Sequence, residues 1–488
     1  MCAKNSKMTK NRIESASRKR CKTFEAQNEK KFKLESLRNP ELPNEIWFKI
    51  MNYLNTKDLM TNFALVCKNF KSLAREVKYL ELKDVTDLEF ESALNLLKTT
   101  KHLKGISIAV KARNSKLLNQ LLDQALKSSK RIKSIKLLPN RYVGNGKILI
   151  SNYSLESVKE IKPFCKDLEH LYLRDVNLST KRLITEMPKF TSLKSFKMTM
   201  SSYRMEGKFT PEHIIAFANN CPNLEAVSFY VQVGIKNISH MKKAFDIFFD
   251  ARHQTLKIFH VKRARHRLKE WSRRGSCLME KIDLCKNLEE VLIRNLELQI
   301  STFEAIISLP KIRTLVLKEV ETKFFSFSQP IISNLRHLIL HFADNNFDIF
   351  KQIDSLTSGF VKLKFPVLER LVLRIEERFN FQPLISTNQI CQFILKFPKL
   401  RSTQFQGETF HSEAYRKLAL QFCKERDIFI CFGKYVKYQW SDTKYQIDFE
   451  KNIERDPIVK SKYDNLKKDF LIWNDFNKFL NSFVMPKY

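Results

Sequence analysis

A short apolar motif, L-x-x-L-x-L, returns throughout the middle of this chain and limits its fold more than any other feature. It is complete at Leu168-Leu171-Leu173, Leu193-Phe196-Met198, Leu224-Val227-Phe229, Leu256-Phe259-Val261, Leu288-Val291-Ile293, Ile312-Leu315-Leu317, Leu335-Leu338-Leu340 and Leu368-Leu371-Leu373. Weaker copies start at Val77, Leu103, Ile132 and Leu400, and successive starts lie 23 to 36 residues apart. One copy is too short to bury its apolar face alone, so the units must stack around a continuous core. The alternation inside each copy predicts a strand. Between copies, PEHIIAFANN, HMKKAFDIFFDARH, FEAIISL and TNQICQFILKF have helical apolar spacing and predict returns of unequal length. The 9 glycines and 14 prolines are too few for an array of tight β-turns, and 39 phenylalanines predict an aromatic-rich core. The fold class is therefore α/β.

This pattern resembles the leucine-rich repeat. The resemblance implies a solenoid of about 12 irregular repeats over residues 77–433, with parallel strands on a concave face and helices on the convex face. Several units begin Cys-x-x-Leu, at Cys165, Cys221 and Cys285, while Phe397, Phe365 and Leu309 hold the same slot elsewhere. That interchange marks the cysteines as small buried apolar groups. The Asn or Cys that such repeats place after the strand is largely replaced here by Val176, Leu296 and Val320. Beyond Gly433 the period fades. Residues 434–488 read as an aromatic and basic C-terminal cap with a helix near 461–483, where Ser461 and Asp464 form a capping box. Tyr463, Leu466, Phe470, Trp473, Leu480 and Phe483 fall near one face of it.

In such a solenoid, the residues between core positions point into the concave side. The central x of L-x-L gives Tyr172, Lys197, Ser228, His260, Leu292, Val316, Ile339 and Val372. The residue after the last core position gives Arg174, Thr199, Tyr230, Lys262, Arg294, Lys318, His341 and Arg374. Together they predict an apolar strip bordered by cations, with Tyr172, Arg174, Lys262, Leu292, Arg294, Val316, Lys318, Ile339, Val372 and Arg374 as the target-binding set. Arginine grips a carboxylate or phosphate with two parallel donors, so the surface suits an acidic or phosphorylated peptide with hydrophobic anchors.

Ahead of the repeats, residues 42–82 read LPNEIWFKIMNYLNTKDLMTNFALVCKNFKSLAREVKYLEL. Ile46, Ile50 and Leu54 recur at helical spacing, Asn55-Thr56 interrupts them, and Leu59, Phe63, Val66, Phe70 and Leu73 predict a second helix. Two helices this short leave an apolar face that needs a cover. The segment resembles the F-box family, through Leu42-Pro43, Glu45-Ile46, Tyr53-Leu54, Asp58-Leu59, Val66-Cys67-Lys68, Phe70 and Leu73. One departure is Tyr79, where many members have Trp. The resemblance implies a short helical domain over residues 39–80 that docks on the adaptor subunit of an SCF-type cullin–RING ubiquitin ligase. Leu42, Pro43, Ile46, Ile50, Leu54, Leu59, Val66, Cys67 and Phe70 would line that interface.

The net charge of +35, with an isoelectric point near 9.7, points to an acidic partner. Residues 1–38 hold 12 Lys/Arg against 4 Asp/Glu, so most of the excess lies beyond this basic leader. The leader is poor in branched apolar residues and is expected to be disordered. Its cluster Arg18-Lys19-Arg20-Cys21-Lys22 suits a nuclear signal, or simply a solvated tail. A second basic stretch, KRARHRLKEWSRRG at 262–275, surrounds Trp271. No apolar run reaches membrane-spanning length, no secretory signal is evident, and the ten cysteines form no C-x-x-C pair, so the cytoplasm or nucleus is expected. No phosphate loop, nucleophile elbow or zinc helix is present, and no cofactor or metal is expected.

These readings converge on a non-catalytic substrate receptor: an F-box that captures the ligase adaptor, and a repeat array that holds an acidic or phosphorylated target for ubiquitination. The alternative is a basic solenoid that binds nucleic acid or an acidic chromatin protein.

Overall fold

The computed structural model describes residues 78–86, 89–110, 115–129, 131–139, 142–144, 147–149, 153–154, 166–174, 176–177, 190–199, 209–231, 238–263, 278–322, 330–343, 363–376, 391–392, 394–406, 417–418, 421–422 and 425–433. The chain divides into two units, Met1–Val77 and Lys78–Tyr488, and all of these residues lie in the second. The expectations for the leader, the helical pair before Lys78, the stretch 264–275 and residues 434–488 fall outside the described residues.

One parallel sheet organises the second unit. Its strands are β1 (Tyr79–Val85), β2 (Gly105–Val110), β3 (Ser134–Pro139), β4 (His170–Arg174), β5 (Ser195–Thr199), β6 (Ala226–Val231) and β7 (Ile258–Arg263). They continue as β8 (Glu290–Arg294), β9 (Thr314–Thr322), β10 (His337–Ala343), β11 (Arg370–Glu376), β12 (Ser402–Gln406) and β13 (Phe429–Gly433). Their order in the sheet is their order in the chain, with Glu297–Leu298 paired to β9 beside the main path. This is a mixed α/β architecture consistent with a solenoid.

The register follows the apolar motif. The second core residue of each copy forms a continuous row: Leu80, Ile106, Ile135, Leu171, Phe196, Val227, Phe259, Val291, Leu315, Leu338 and Leu371, then Thr403 and Ile430. β13 is a rung that the motif did not announce. Asp427 occupies its first core position with a φ of 57°, so the leading apolar residue is missing there.

The helices between strands are α1 (Phe90–Thr99), α2 (Ser115–Ser128), α3 (Pro211–Asn220), α4 (Ile238–Arg252) and α5 (Ile300–Ile307), with a 3-10 turn at Glu280–Leu284. α3 shows how local sequence fixes a return. Pro211 opens it, and the Thr210 amide donates to His213 Nδ1 at 3.1 Å, closing a capping box. It ends before Cys221-Pro222, where proline disfavours further helix.

The aromatic core expected from composition lies between α3, α4 and strands β5–β7. Phe229 packs against Phe209 (5.4 Å between ring centres), Phe217 (5.6 Å) and Phe248 (5.3 Å). Phe249 meets Phe259 at 5.1 Å, and all these rings are essentially fully buried.

The turns entering the strands carry a second ladder. Asn223 donates to the Thr191 carbonyl, Asn287 to Gln254 and Asn334 to Pro310, each joining one repeat to the previous one. Cys221 and Cys285 beside them form no disulfide and are fully buried, and burial pushes both thiols up to about 12. They are packing groups, as their interchange with Phe and Leu implies. After β8, Asn295, one residue before Leu296, takes a left-handed φ of 56° and donates to the Arg263 carbonyl at 3.2 Å.

Candidate partner-binding surfaces

Strand alternation places every second residue on the face opposite the phenylalanine core. Along this outward face the central column runs Glu81, Ser107, Lys136, Tyr172, Lys197, Ser228, His260, Leu292, Val316, Ile339, Val372, Gln404 and Cys431, each in register with the next. The next outward residue gives a parallel column that includes Lys262, Arg294 and Lys318 on adjacent strands. Leu292, Val316, Ile339 and Val372 form one apolar cluster of their own, separate from the phenylalanine core.

The sequence predicts these side chains to be solvent-facing, and here the structure differs. Tyr172 is 4% exposed, Lys197, Ser228 and His260 0%, Leu292 and Val316 1%, Ile339 8% and Val372 0%. Alternation fixes the face on which a side chain lies, but exposure depends on what covers that face. The central column of the outward face is buried along β4–β11. Lys262, Arg294 and Lys318 are half-buried. Arg174 on β4 and Arg374 on β11 occupy the same outward column in the backbone register.

The column changes chemistry along its length. Its early part is polar and cationic. Lys197 places its ammonium 4.9 Å from the centre of the Tyr172 ring, and Lys136 reaches the same ring at 5.7 Å. His260 Nε2 meets Glu290 Oε1 at 2.5 Å. Burial holds the His260 imidazole below its usual range, Glu290 works against that, and Lys262 and Lys197 add to it. Burial, then the neighbouring Arg294 charge, brings the Lys262 ammonium down to about 8. The hydroxyl of Ser228, between Lys197 and His260 in register, is buried with no hydrogen-bond partner among the described residues.

A third feature went unread in the sequence. The second residue of every copy is charged: Lys78, Lys104, Lys133, Glu169, Lys194, Glu225, Lys257, Glu289, Arg313, Arg336, Glu369 and Arg401. From Lys104 onward, the amide of each donates to the carbonyl of its predecessor, so they line one edge of the sheet. The acids bind adjacent bases, as in Lys133–Glu169 (2.5 Å), Lys194–Glu169 (2.8 Å) and Lys257–Glu225 (2.8 Å). Hydrogen bonds from Lys133 and Lys194 lower the Glu169 carboxyl to about 2. The signal was available as a charged residue after each leading leucine. This edge neutralises much of its own charge, whereas the outward column concentrates cations.

His170 and His337 sit at the strand entries, half-buried, against Ser195 Oγ (2.7 Å) and Thr314 Oγ1 (3.2 Å). Among the described residues no group of histidine, cysteine or carboxylate side chains is placed to hold a metal, and no helix is long and apolar enough to cross a membrane.

The adaptor-binding residues expected from the sequence, Leu42, Pro43, Ile46, Ile50, Leu54, Leu59, Val66, Cys67 and Phe70, lie outside the described residues. Comparison with known families does reach them. Residues 40–82 match the F-box domain model, a span that closes on Tyr79–Leu82 of β1. Tyr79, at the position where many F-boxes carry Trp, is half-buried with its ring over Gly105, where an added Cβ would lie 2.7 Å from the ring. No curated protein matches the chain. The sequence motif and the family match agree: this chain carries an F-box domain at residues 40–82.

Proposed function

We propose that this chain is the non-catalytic substrate-recognition subunit of an SCF-type ubiquitin ligase. The observation that carries the proposal is the F-box match at residues 40–82, since F-box domains serve in general as adaptor-docking modules of these ligases. Leu42, Pro43, Ile46, Ile50, Leu54, Leu59, Val66, Cys67 and Phe70 form the adaptor contact. The parallel sheet is a leucine-rich-repeat solenoid, and its outward column binds an acidic or phosphorylated protein target. Two observations support the target half. The column keeps cations and an apolar cluster on one face, and the chain as a whole carries +35. Ubiquitin transfer belongs to partner subunits, and this chain contributes proximity, holding the lysines of a target near the charged ubiquitin.

Co-purification with the adaptor tests the docking half. The wild-type chain retains the adaptor, and the double variant Leu54→Asp, Phe70→Asp loses it. Retention by the double variant refutes the reading.

A further inference from the structure

We propose that the entry edge of strands β1–β3 is a second contact for the ligase adaptor, and that Lys78, Lys98, Lys101, Lys104 and Arg131 take a carboxylate-rich segment of it there. The inference rests on the adaptor-docking reading of the F-box and extends that contact onto the first repeats.

Three observations carry it. The first is a block of like charge. The Lys104 amide donates to the Lys78 carbonyl and the Lys133 amide to the Lys104 carbonyl, each at 2.6 Å, which sets three lysines on successive strands of one edge. Lys98 in the last turn of α1, Lys101 ahead of β2 and Arg131 ahead of β3 add cations where the chain turns from helix into strand, and all six residues are exposed. Lys133 pairs with Glu169, while the other five have no ion-pair partner among the described residues. The second observation is the contrast with the rest of the same edge. Like charges on adjacent strands repel, and farther along Glu169, Glu225, Glu289 and Glu369 each pair with bases on neighbouring strands. The first three strands carry no acid in that row. At the far end Lys399, Arg401 and Arg426 are exposed too, but Glu425 and Asp427 stand among them. The third is continuity. The F-box match runs to residue 82 and so includes Lys78, the first member of the block. A protein held by the F-box is tethered, and its carboxylates reach the edge at high effective concentration.

Size decides the kind of partner. At roughly 4.8 Å per strand the block extends only about 10 Å along the edge, which suits a short acidic protein segment. A nucleic-acid duplex engages on the order of six to ten phosphates, and a backbone continuing along this edge meets Asp167 and Glu169 at the next strand. Tyr79, the aromatic residue next to Lys78, has its ring against Gly105 and is not offered to a base. Exposed charges of this kind steer the encounter more than they hold the complex. The effect therefore falls on the association rate and fades as salt screens it.

The test measures surface plasmon resonance of the full-length protein over immobilised adaptor, and over immobilised duplex DNA, at low and high salt. Four forms are compared: wild type, the edge triple Lys101→Glu, Lys104→Glu, Arg131→Glu, the far-end triple Lys399→Glu, Arg401→Glu, Arg426→Glu, and the F-box double Leu54→Asp, Phe70→Asp. Each is first checked for an unchanged melting temperature, and glutamine at the same positions stands in for a glutamate triple that melts early. The expected result at low salt is association with the adaptor slowed about tenfold in the edge triple and less than about twofold in the far-end triple, with the gap closing at high salt. The F-box double does not bind. Wild-type rates in the edge triple overturn the second contact while leaving the docking reading intact. Equal slowing in both triples shows diffuse charge attraction and also overturns it. Loss of duplex DNA binding in the edge triple, with its adaptor rate unchanged, makes the edge a nucleic-acid surface and overturns it as well. Wild-type binding by the F-box double removes the docking reading and this inference together.

Discussion

The two faces of the sheet obey different rules. On the inner face, the core row keeps the same chemistry from Leu80 to Leu371 and gives way only at Thr403. On the outer face, the central column passes from Lys136, Tyr172, Lys197, Ser228 and His260 to Leu292, Val316, Ile339 and Val372 within one continuous register. Folding demands the uniform row, because stacked repeats share one core. It makes no such demand on the outer column, whose residues sit on the same strands. Under the proposed function, the chemical gradient in that column is what a target would read.

Perturbing the inner face should have the larger effect. Phe229→Ala removes a fully buried ring that touches Phe209, Phe217 and Phe248, and should cost about 3–5 kcal/mol in urea unfolding. A cost under about 1 kcal/mol would mean that the phenylalanine block is not the stabilising centre.

The next largest effect is acid-driven. Burial and the nearby Arg370 and Arg336 charges lower the His337 imidazole to about 4, against an ordinary 6.5. The unfolded chain therefore binds the extra proton between pH 6.5 and 4, and stability falls with pH across that window, by up to about 3 kcal/mol. Chemical denaturation at stepped pH should show this slope in the wild type and a shallower one in His337→Gln.

On the outer face, Val316→Ala should cost about 2 kcal/mol if the strip is as dry as its exposure indicates. A negligible cost would return that column to solvent, as the sequence first suggests. Thr403→Val tests the break in the inner row. Its buried hydroxyl has no hydrogen-bond partner among the described residues, so the isosteric apolar side chain should stabilise by about 1 kcal/mol. The smallest effect belongs to the charged edge. Glu169→Gln breaks two solvent-exposed ion pairs and should cost less than about 1 kcal/mol, with the loss reduced further by added salt.

Much of this architecture was legible because periodicity is a local signal. The eight complete copies of the motif all became rungs in register, and the helical spacing of PEHIIAFANN announced α3. β13 escaped because Asp427 stands where a leucine would have marked it, and its neighbours Ile428 and Ile430 are too few to define a period. The edge row escaped for a different reason. Charged residues next to leucines look like ordinary solvated positions until the register aligns them. The dryness of the outer column was not readable at all, since no residue on a strand records what lies over it. The F-box motif stands apart from these. It was read from the order of residue types, and its match at 40–82 rests on that order.

The central claim is that adaptor capture and target capture reside in separate parts of the chain. Quantitative adaptor pull-down by three full-length forms tests it most directly: wild type, Leu54→Asp with Phe70→Asp, and Arg294→Gln with Lys318→Gln. The account predicts full capture by the first and third and loss of capture by the second alone. Equal capture by all three, or loss in the sheet variant comparable to that in the F-box variant, would contradict it.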